Sequence, residues 1–81
     1  MEVNILYKLR NIGNSTYIVG PGDAIEINNT GRIIWSGIED GQNEDDIVTS
    51  ILAEYDVDRE IATNDVKEFI RFLTSNELVT E

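Results

Sequence analysis

The sequence predicts a small α+β domain in which a three-stranded antiparallel sheet is followed by three helices. Short β-rich segments separated by turns rich in Gly and Pro occupy residues 3–27. Three segments with apolar residues at helical spacing then follow in a row, each preceded by a polar residue suited to cap a helix. Only a few residues join the last two helices, as in a helix-turn-helix.

The three predicted strands span residues 3–11, 16–19 and 24–27. Gly13-Asn14 and Gly20-Pro21-Gly22 provide the reversals between them. A sheet of this size is not stable alone in water, so one of its faces must pack against the helices. The alternation in the first strand places Val3, Ile5, Tyr7 and Leu9 on one face.

The first two helices are each marked by a cap and an apolar face. Asn28 or Asn29 can cap the first helix, and Gly37 and Gly41 bracket its end. Asn43 caps the second, whose first turn carries acidic residues that the helix dipole favours. Trp35 lies among isoleucines, which indicates a core residue. The apolar faces are Ile33, Ile34, Trp35 and Ile38 in the first helix and Ile47, Val48, Ile51, Leu52 and Tyr55 in the second.

The third helix is predicted to begin after Asp58 and to end at Asn76, in a left-handed conformation, with Leu78-Val79 packing the tail back. Phe72 lies off its apolar stripe, so it is either an exposed interaction residue or a second buried contact. The stripe itself is Ala62, Val66, Phe69 and Leu73, with Ile70 beside it.

Composition argues against catalysis and against most cofactors. The chain has no His and no Cys, which removes thiolate metal sites, disulfides and a His-activated nucleophile. The acidic segment 40–46 does not match a calcium loop, because its sixth position is Asp45 rather than Gly and its twelfth is Ile51 rather than Glu. We therefore expect no enzyme activity, no metal and no cofactor. With neither a signal peptide nor a membrane-spanning segment, the protein is expected to be soluble and cytoplasmic.

The net charge of −10 narrows the possible partners. Such a field repels the phosphates of nucleic acid, so no nucleic-acid partner is expected. Nine carboxylates and one cation, Arg59, lie between Glu39 and Glu60. This stretch is either a solvated face that aids solubility or a docking surface for a basic patch on a partner enzyme.

A series of short motifs runs through residues 17–79. The motifs are Ile27-Asn28-x-x-Gly31-x-x-Ile34-Trp35, Asp46-Ile47-Val48-x-x-Ile51, Glu54-Tyr55-Asp56-Val57-Asp58, Ala62-x-x-Asp65-Val66-x-x-Phe69-Ile70-x-x-Leu73 and Leu78-Val79. In this order and at these spacings they resemble the PqqD-like family, the RiPP recognition elements of ribosomal peptide natural-product biosynthesis. The sequence departs from the family pattern at Ile27, where Leu is usual, and at Glu77, where Gly commonly precedes the terminal Leu-Val.

The resemblance implies a winged helix-turn-helix fold and a peptide-binding function for the single domain 1–81. Family members bind the leader of a precursor peptide in the cleft between the third strand and the third helix. An exposed strand edge suits this, because its N–H and C=O groups can pair with an added peptide strand. The implied peptide-binding residues are Asp23, Ala24, Ile25, Glu26 and Ile27 on the third strand and Asp65, Phe69 and Phe72 on the third helix, with Ile25 and Ile27 forming the pocket.

Two details of this site stay open. Asp65 either contacts the leader or forms a surface hydrogen bond that stabilises the helix. Lys67 and Arg71 would suit acidic leader residues instead.

The resemblance also implies a partner enzyme on a separate chain, either a leader peptidase of a lasso-type system or a radical enzyme. Two other functions compete with leader presentation: a winged-helix regulator that binds DNA, and a non-enzymatic dimerisation or adaptor module. The would-be recognition helix carries as many acids as bases, which disfavours the DNA hypothesis. The chain is expected to be a monomer or a weak homodimer.

Overall fold

The predicted fold class is confirmed by a computed structural model that describes residues 1–80; Glu81, the last residue of the predicted domain 1–81, lies outside the described residues. A three-stranded antiparallel sheet is followed by three helices, and a second sheet of two short strands joins the two ends of the chain. The elements are β1 (Glu2–Val3), β2 (Lys8–Ile12), β3 (Ser15–Gly20), β4 (Asp23–Ile27), α1 (Asn29–Glu39), α2 (Glu44–Glu54), α3 (Arg59–Ser75) and β5 (Val79–Thr80).

Two tight hairpins build the three-stranded sheet, whose strand order is β2-β3-β4. Gly13 is the first residue of the first two-residue loop and has φ 63°, a backbone conformation that residues other than Gly rarely adopt. In the second loop Pro21 precedes Gly22, which has φ 70°, the order that a type II turn requires. The turn residues identified in the sequence therefore form both reversals.

The prediction of one strand over residues 3–11 is wrong, because Asn4 interrupts it. The Asn4 side-chain oxygen accepts a hydrogen bond from the Leu6 N–H at 2.9 Å, and its carbonyl accepts one from the Tyr7 N–H at 3.0 Å. This local turn competes with strand pairing, as Asn side chains often do. Ile5, predicted to share one strand face with Val3, Tyr7 and Leu9, is 87% exposed as a result, whereas those three are partly buried against the core. The residues before the turn form β1, which pairs with β5 instead.

Polar residues precede all three helices at the predicted positions. The Asn28 side chain accepts from the Gly31 N–H and the Asn43 side chain from the Asp46 N–H, both at 2.8 Å, which satisfies donors left free in each first turn. Asn28, rather than Asn29, is thus the cap of α1. Asp58 occupies the cap position of α3, but its side chain makes no capping hydrogen bond.

The end of α3 differs from the prediction by one residue. Asn76 has an ordinary φ of −102°, and Glu77 takes the left-handed conformation at φ 61°. The Leu78 N–H donates to the Leu73 carbonyl at 2.8 Å and the Glu77 N–H to the Thr74 carbonyl at 3.1 Å. These two bonds define a Schellman motif, whose left-handed position follows the cap residue.

The core lies between the inner face of the three-stranded sheet and the three helices. Trp35 is fully buried, which agrees with its predicted core role, although its indole N–H has no hydrogen-bond partner among residues 1–80. On α3, Ile70 is buried, whereas Phe69, which the sequence placed in the buried stripe, is only half-buried at the edge of the core. The core residues are Ile18, Ile27, Ile34, Trp35, Ile38, Ile47, Val48, Ile51, Ala62, Val66, Ile70, Leu73, Leu78 and Val79.

Candidate functional site

β4 is an edge strand of the three-stranded sheet, since it pairs with β3 on one side only. The two-residue turn makes Gly20 and Asp23 the closing pair, and in an antiparallel ladder hydrogen-bonded pairs alternate with unbonded ones. Ala24 and Glu26 therefore direct their N–H and C=O groups away from β3. These four polar groups form an edge on which another strand can pair.

The side chains of β4 divide between the two faces of the sheet. Ile25 and Ile27 lie on the inner face, where Ile27 is buried and Ile25 half-buried against the core. Ala24 and Glu26 lie on the outer face and are exposed, as is Asp23 at the start of the strand. The strand thus offers main-chain groups at its edge, while its apolar side chains serve the core.

An open groove of about 360 Å³ begins where β4 ends and runs between the first turns of α1 and one face of α3. Three predicted site residues, Asp65, Phe69 and Phe72, come together in it because they follow one another at helical spacing on that face. None of the five β4 residues lines it. The lining residues are Asn28, Thr30, Gly31, Ile34, Asp65, Glu68, Phe69 and Phe72.

Gly31 forms the closest approach between the three elements. A Cβ atom placed there would lie 3.2 Å from the Ile27 Cβ of β4 and 3.2 Å from the Phe69 Cζ of α3. Such distances are tighter than ordinary van der Waals contact, so a side chain larger than that of Gly would require the Phe69 ring or Ile27 to shift by a few tenths of an ångström. This gives a physical reason for the glycine of the Asn28-x-x-Gly31 motif.

The apolar wall of the groove is a pair of stacked phenylalanines. The ring centroids of Phe69 and Phe72 are 6.0 Å apart, with an angle of 25° between the ring planes. Phe72 remains 41% exposed. Of the two alternatives left open by the sequence, the second buried contact is thus excluded, and a role of Phe72 in interaction stays a prediction.

Side-chain hydrogen bonds, one of them to the residue that follows α2, hold the first turn of α1. The Asn29 amide donates to the hydroxyl of Tyr55, the residue that follows α2, and the Arg32 Nε donates to the Asn29 side-chain oxygen at 2.9 Å. Together with the Asn28 cap, these bonds fix the end of α1 that lines the groove. The groove is therefore bounded by secondary-structure elements on both sides, which favours a preformed site.

Lys67 and Arg71, two of the three cations of α3, do not line this groove. The Lys67 Nζ lies 3.2 Å from the Glu44 carboxylate of α2, and Arg71 lines a separate pocket that also contains Lys67. The alternative that these two residues receive acidic leader residues in the same cleft as Asp65 and Phe69 is therefore not supported by their positions.

Five lining residues were not named as site residues from the sequence: Asn28, Thr30, Gly31, Ile34 and Glu68. Glu68 could have been found, because it lies one turn after Asp65 on the same helical face. Gly31 and Ile34 belong to one of the motifs, but nothing in their spacing shows that α1 crosses α3 at that point. Thr30 has no signal in the sequence.

Two other kinds of site are not found within residues 1–80. No helix there has the length and apolar character that crossing a bilayer requires. Nor does that part of the chain bring together three or more Asp, Glu, His or Cys side chains in an arrangement suited to a metal ion.

Comparison with known proteins places nearly the whole chain in one family. Two solved structures share its fold. The structure of TbiB1 in complex with the TbiA(beta) leader peptide has 30% sequence identity and a TM-score of 0.83, and the match covers 96% of this chain and 93% of that one. The structure of lasso peptide synthetase B1 complexed with the leader peptide has 18% identity and a TM-score of 0.87, and the match covers 99% of this chain and 96% of that one. No curated protein sequence matches the chain. Residues 5–79 match the family model of coenzyme PQQ synthesis protein D (PqqD), which confirms the resemblance found in the sequence: the chain belongs to the PqqD family.

Proposed function

We propose that the protein binds the leader segment of a ribosomal precursor peptide and presents it to a separate modifying enzyme. The leader adds to the free edge of β4 as a further strand and places side chains in the groove between α1 and α3. The observation that carries this proposal is the open groove beside an unpaired strand edge. Main-chain pairing at such an edge supplies affinity, and pockets for alternate side chains supply choice.

The contacts of the groove support a peptide ligand over a small molecule. Its lining mixes an exposed aromatic face with polar groups, and it lies open along one side rather than enclosing a cavity. Beside the groove, the N–H and C=O groups of Ala24 and Glu26 face away from β3 at the spacing with which an added peptide strand pairs. An extended peptide uses both features at once.

The solved structures of related proteins support the same ligand class. TbiB1, at 30% identity, is bound to a leader peptide in its structure, and so is lasso peptide synthetase B1. We extend this ligand class to the present chain because its groove and strand edge offer a peptide the physical features it needs. In this proposal the protein acts by binding and not by catalysis, and the enzyme that modifies the leader-bearing peptide is a leader peptidase or a radical enzyme.

The proposal is tested by calorimetric titration with synthetic leader peptides from short reading frames encoded beside the gene. We expect saturable one-to-one binding with a Kd that is roughly micromolar or tighter, about −8 kcal/mol. Phe72→Ala should weaken binding about tenfold or more, because a Phe face that the leader would cover is lost.

Arg71→Ala is the matched control, since this neighbouring side chain lies away from the groove. It should leave the affinity unchanged. Equal losses in both variants, or no binding by any leader, would contradict the proposal.

The DNA-binding alternative gains nothing from the structure. One of the cations of α3, Lys67, is paired with Glu44, and the groove face of the helix carries Asp65 and Glu68. A helix with this face would repel a phosphate backbone. Salt-dependent retention on duplex DNA would be needed to restore that hypothesis.

A further inference from the structure

The groove has a negative charge beside its apolar wall. Asp65 and Glu68 line it, and no Lys or Arg among residues 1–80 does so. Within that range neither carboxylate accepts a side-chain hydrogen bond or forms an ion pair, whereas Glu44 of α2, which does not line the groove, is paired with Lys67 of α3. The groove therefore carries two carboxylates available to a ligand.

These carboxylates and the phenylalanine pair form one continuous surface on α3. Phe69 follows Asp65 by one helical turn, and Phe72 follows Glu68 by four residues, so acidic and aromatic groups are neighbours along the same face. A Lys or Arg side chain suits such a surface, because its aliphatic stem can lie on an aromatic ring while its charged head meets a carboxylate.

We propose, resting on the function proposed above, that the groove selects a leader segment carrying an apolar side chain for the Phe69–Phe72 pair and a Lys or Arg for Asp65 and Glu68. Alternate side chains of an added strand point to the same side and lie about 6.6 Å apart. One turn of α3 rises about 5.4 Å, which is close to that spacing. In a leader strand that runs along α3, the cation and the apolar residue are therefore separated by one residue.

The net charge of the protein does not by itself explain such a preference. The long-range field of a chain with a net charge of −10 attracts cations at any leader position. Pairing at Asp65 and Glu68 instead demands a cation at one position relative to the apolar residue. A cation enriched at one fixed position relative to the apolar residue therefore indicates local pairing, and cations enriched at all positions indicate the general field.

The test is selection of a random library of 20-residue peptides, displayed on their own messenger RNA, on the wild-type protein and on two double variants. Asp65→Asn with Glu68→Gln removes the groove charge. Glu39→Gln with Asp40→Asn removes equal charge from exposed residues at the opposite end of α1. We expect the wild type and the second variant to enrich an apolar residue two positions from a Lys or Arg.

The groove variant should enrich the apolar residue alone. A peptide selected on the wild type should bind the groove variant about tenfold more weakly, in line with two partly exposed charge pairs, and bind the control variant equally.

The failure of this inference differs from the failure of the proposed function. If the wild type enriches apolar peptides with no cation at a fixed position, or if the groove variant still enriches one, the charge selection is overturned while leader binding stands. If no peptide is enriched and no leader binds, both are overturned.

Discussion

Glu77 adopts a backbone conformation that glycine tolerates far better than any other residue. Its φ of 61° lies in the left-handed region, at the position of a Schellman motif that Gly usually fills. The sequence departs from the family pattern at this residue, yet the motif forms with both of its hydrogen bonds. The burial of Leu78 against the end of α3 offsets the strain.

Replacing Glu77 by Gly should raise the free energy of unfolding by about 1 kcal/mol, the usual cost of a left-handed non-glycine residue. Urea unfolding followed by the fluorescence of Trp35, the single and fully buried tryptophan, measures it. Asn76→Gly is the control and should lower stability, because it relieves no strain and removes the bond from the Asn76 amide to the Phe72 carbonyl. An unchanged midpoint in Glu77→Gly would contradict the account of α3.

Gly31 offers a second prediction at this scale. In Gly31→Ala the new methyl group displaces the half-buried Phe69 ring into the groove, and the better helix propensity of Ala offsets the strain, so stability should change by less than about 1 kcal/mol. Leader affinity in a titration should nonetheless fall severalfold.

Gly37→Ala is the matched comparison. Its Cβ would lie 2.7 Å from the Ile47 Cγ1 in the core, so we expect a loss of about 1–3 kcal/mol in stability with the affinity of the folded protein unchanged. Gly31→Ala should therefore lower the leader affinity with little change in stability, and Gly37→Ala should lower the stability with no change in affinity. Loss of affinity in both would mean that Gly31 has no special role in the groove.

Among the elements, local signals were sufficient for the helices and insufficient for the first strand. Caps and apolar spacing predicted α1, α2 and α3, because each signal acts within a few residues. The alternation over residues 3–11 suggested one strand, but Asn4 turns the chain and β1 pairs with β5, which lies at the other end of the sequence. No local pattern reports a partner that distant.

The site shows the same division. The resemblance to the family implied Asp65, Phe69 and Phe72 as site residues, and their helical spacing predicts that they share one face of α3. The opposite wall, formed by the first turns of α1, depends on the angle at which two helices cross, which the sequence of neither helix specifies. Gly31 is the one residue of the motifs that reflects this crossing, because a Cβ atom there would lie 3.2 Å from the Phe69 ring of α3.

Proline substitutions in β4 test whether the leader pairs along its free edge. Glu26→Pro removes an N–H that faces away from β3, and proline is tolerated at such positions on edge strands. The circular dichroism spectrum should be unchanged, while leader affinity falls tenfold or more because a hydrogen bond is lost and the ring obstructs the added strand.

Ile25→Pro is the comparison, since the Ile25 N–H faces β3. It should lower the stability of the fold itself by about 3 kcal/mol. If Glu26→Pro binds leader as tightly as the wild type, the leader does not pair along this edge.

For the molecule as a whole, charge bears on self-association. The β4 edge could pair with the same edge of a second copy, but each chain carries a net charge of −10, and two such chains repel each other at low ionic strength. We expect sedimentation equilibrium to give the mass of one chain at 50 mM salt across a dilution series. A stable dimer under those conditions would favour the adaptor hypothesis.

The pairing of β1 with β5 has a consequence for how the protein can be joined to others. Glu2 lies opposite Thr80 and Val3 opposite Val79, so the chain enters and leaves the fold at one place. An enzyme attached genetically at either end would start from the same point and could reach the groove along similar paths. Gene fusions in either order, and insertion of the domain into a loop of a larger enzyme, are thus equally compatible with its architecture.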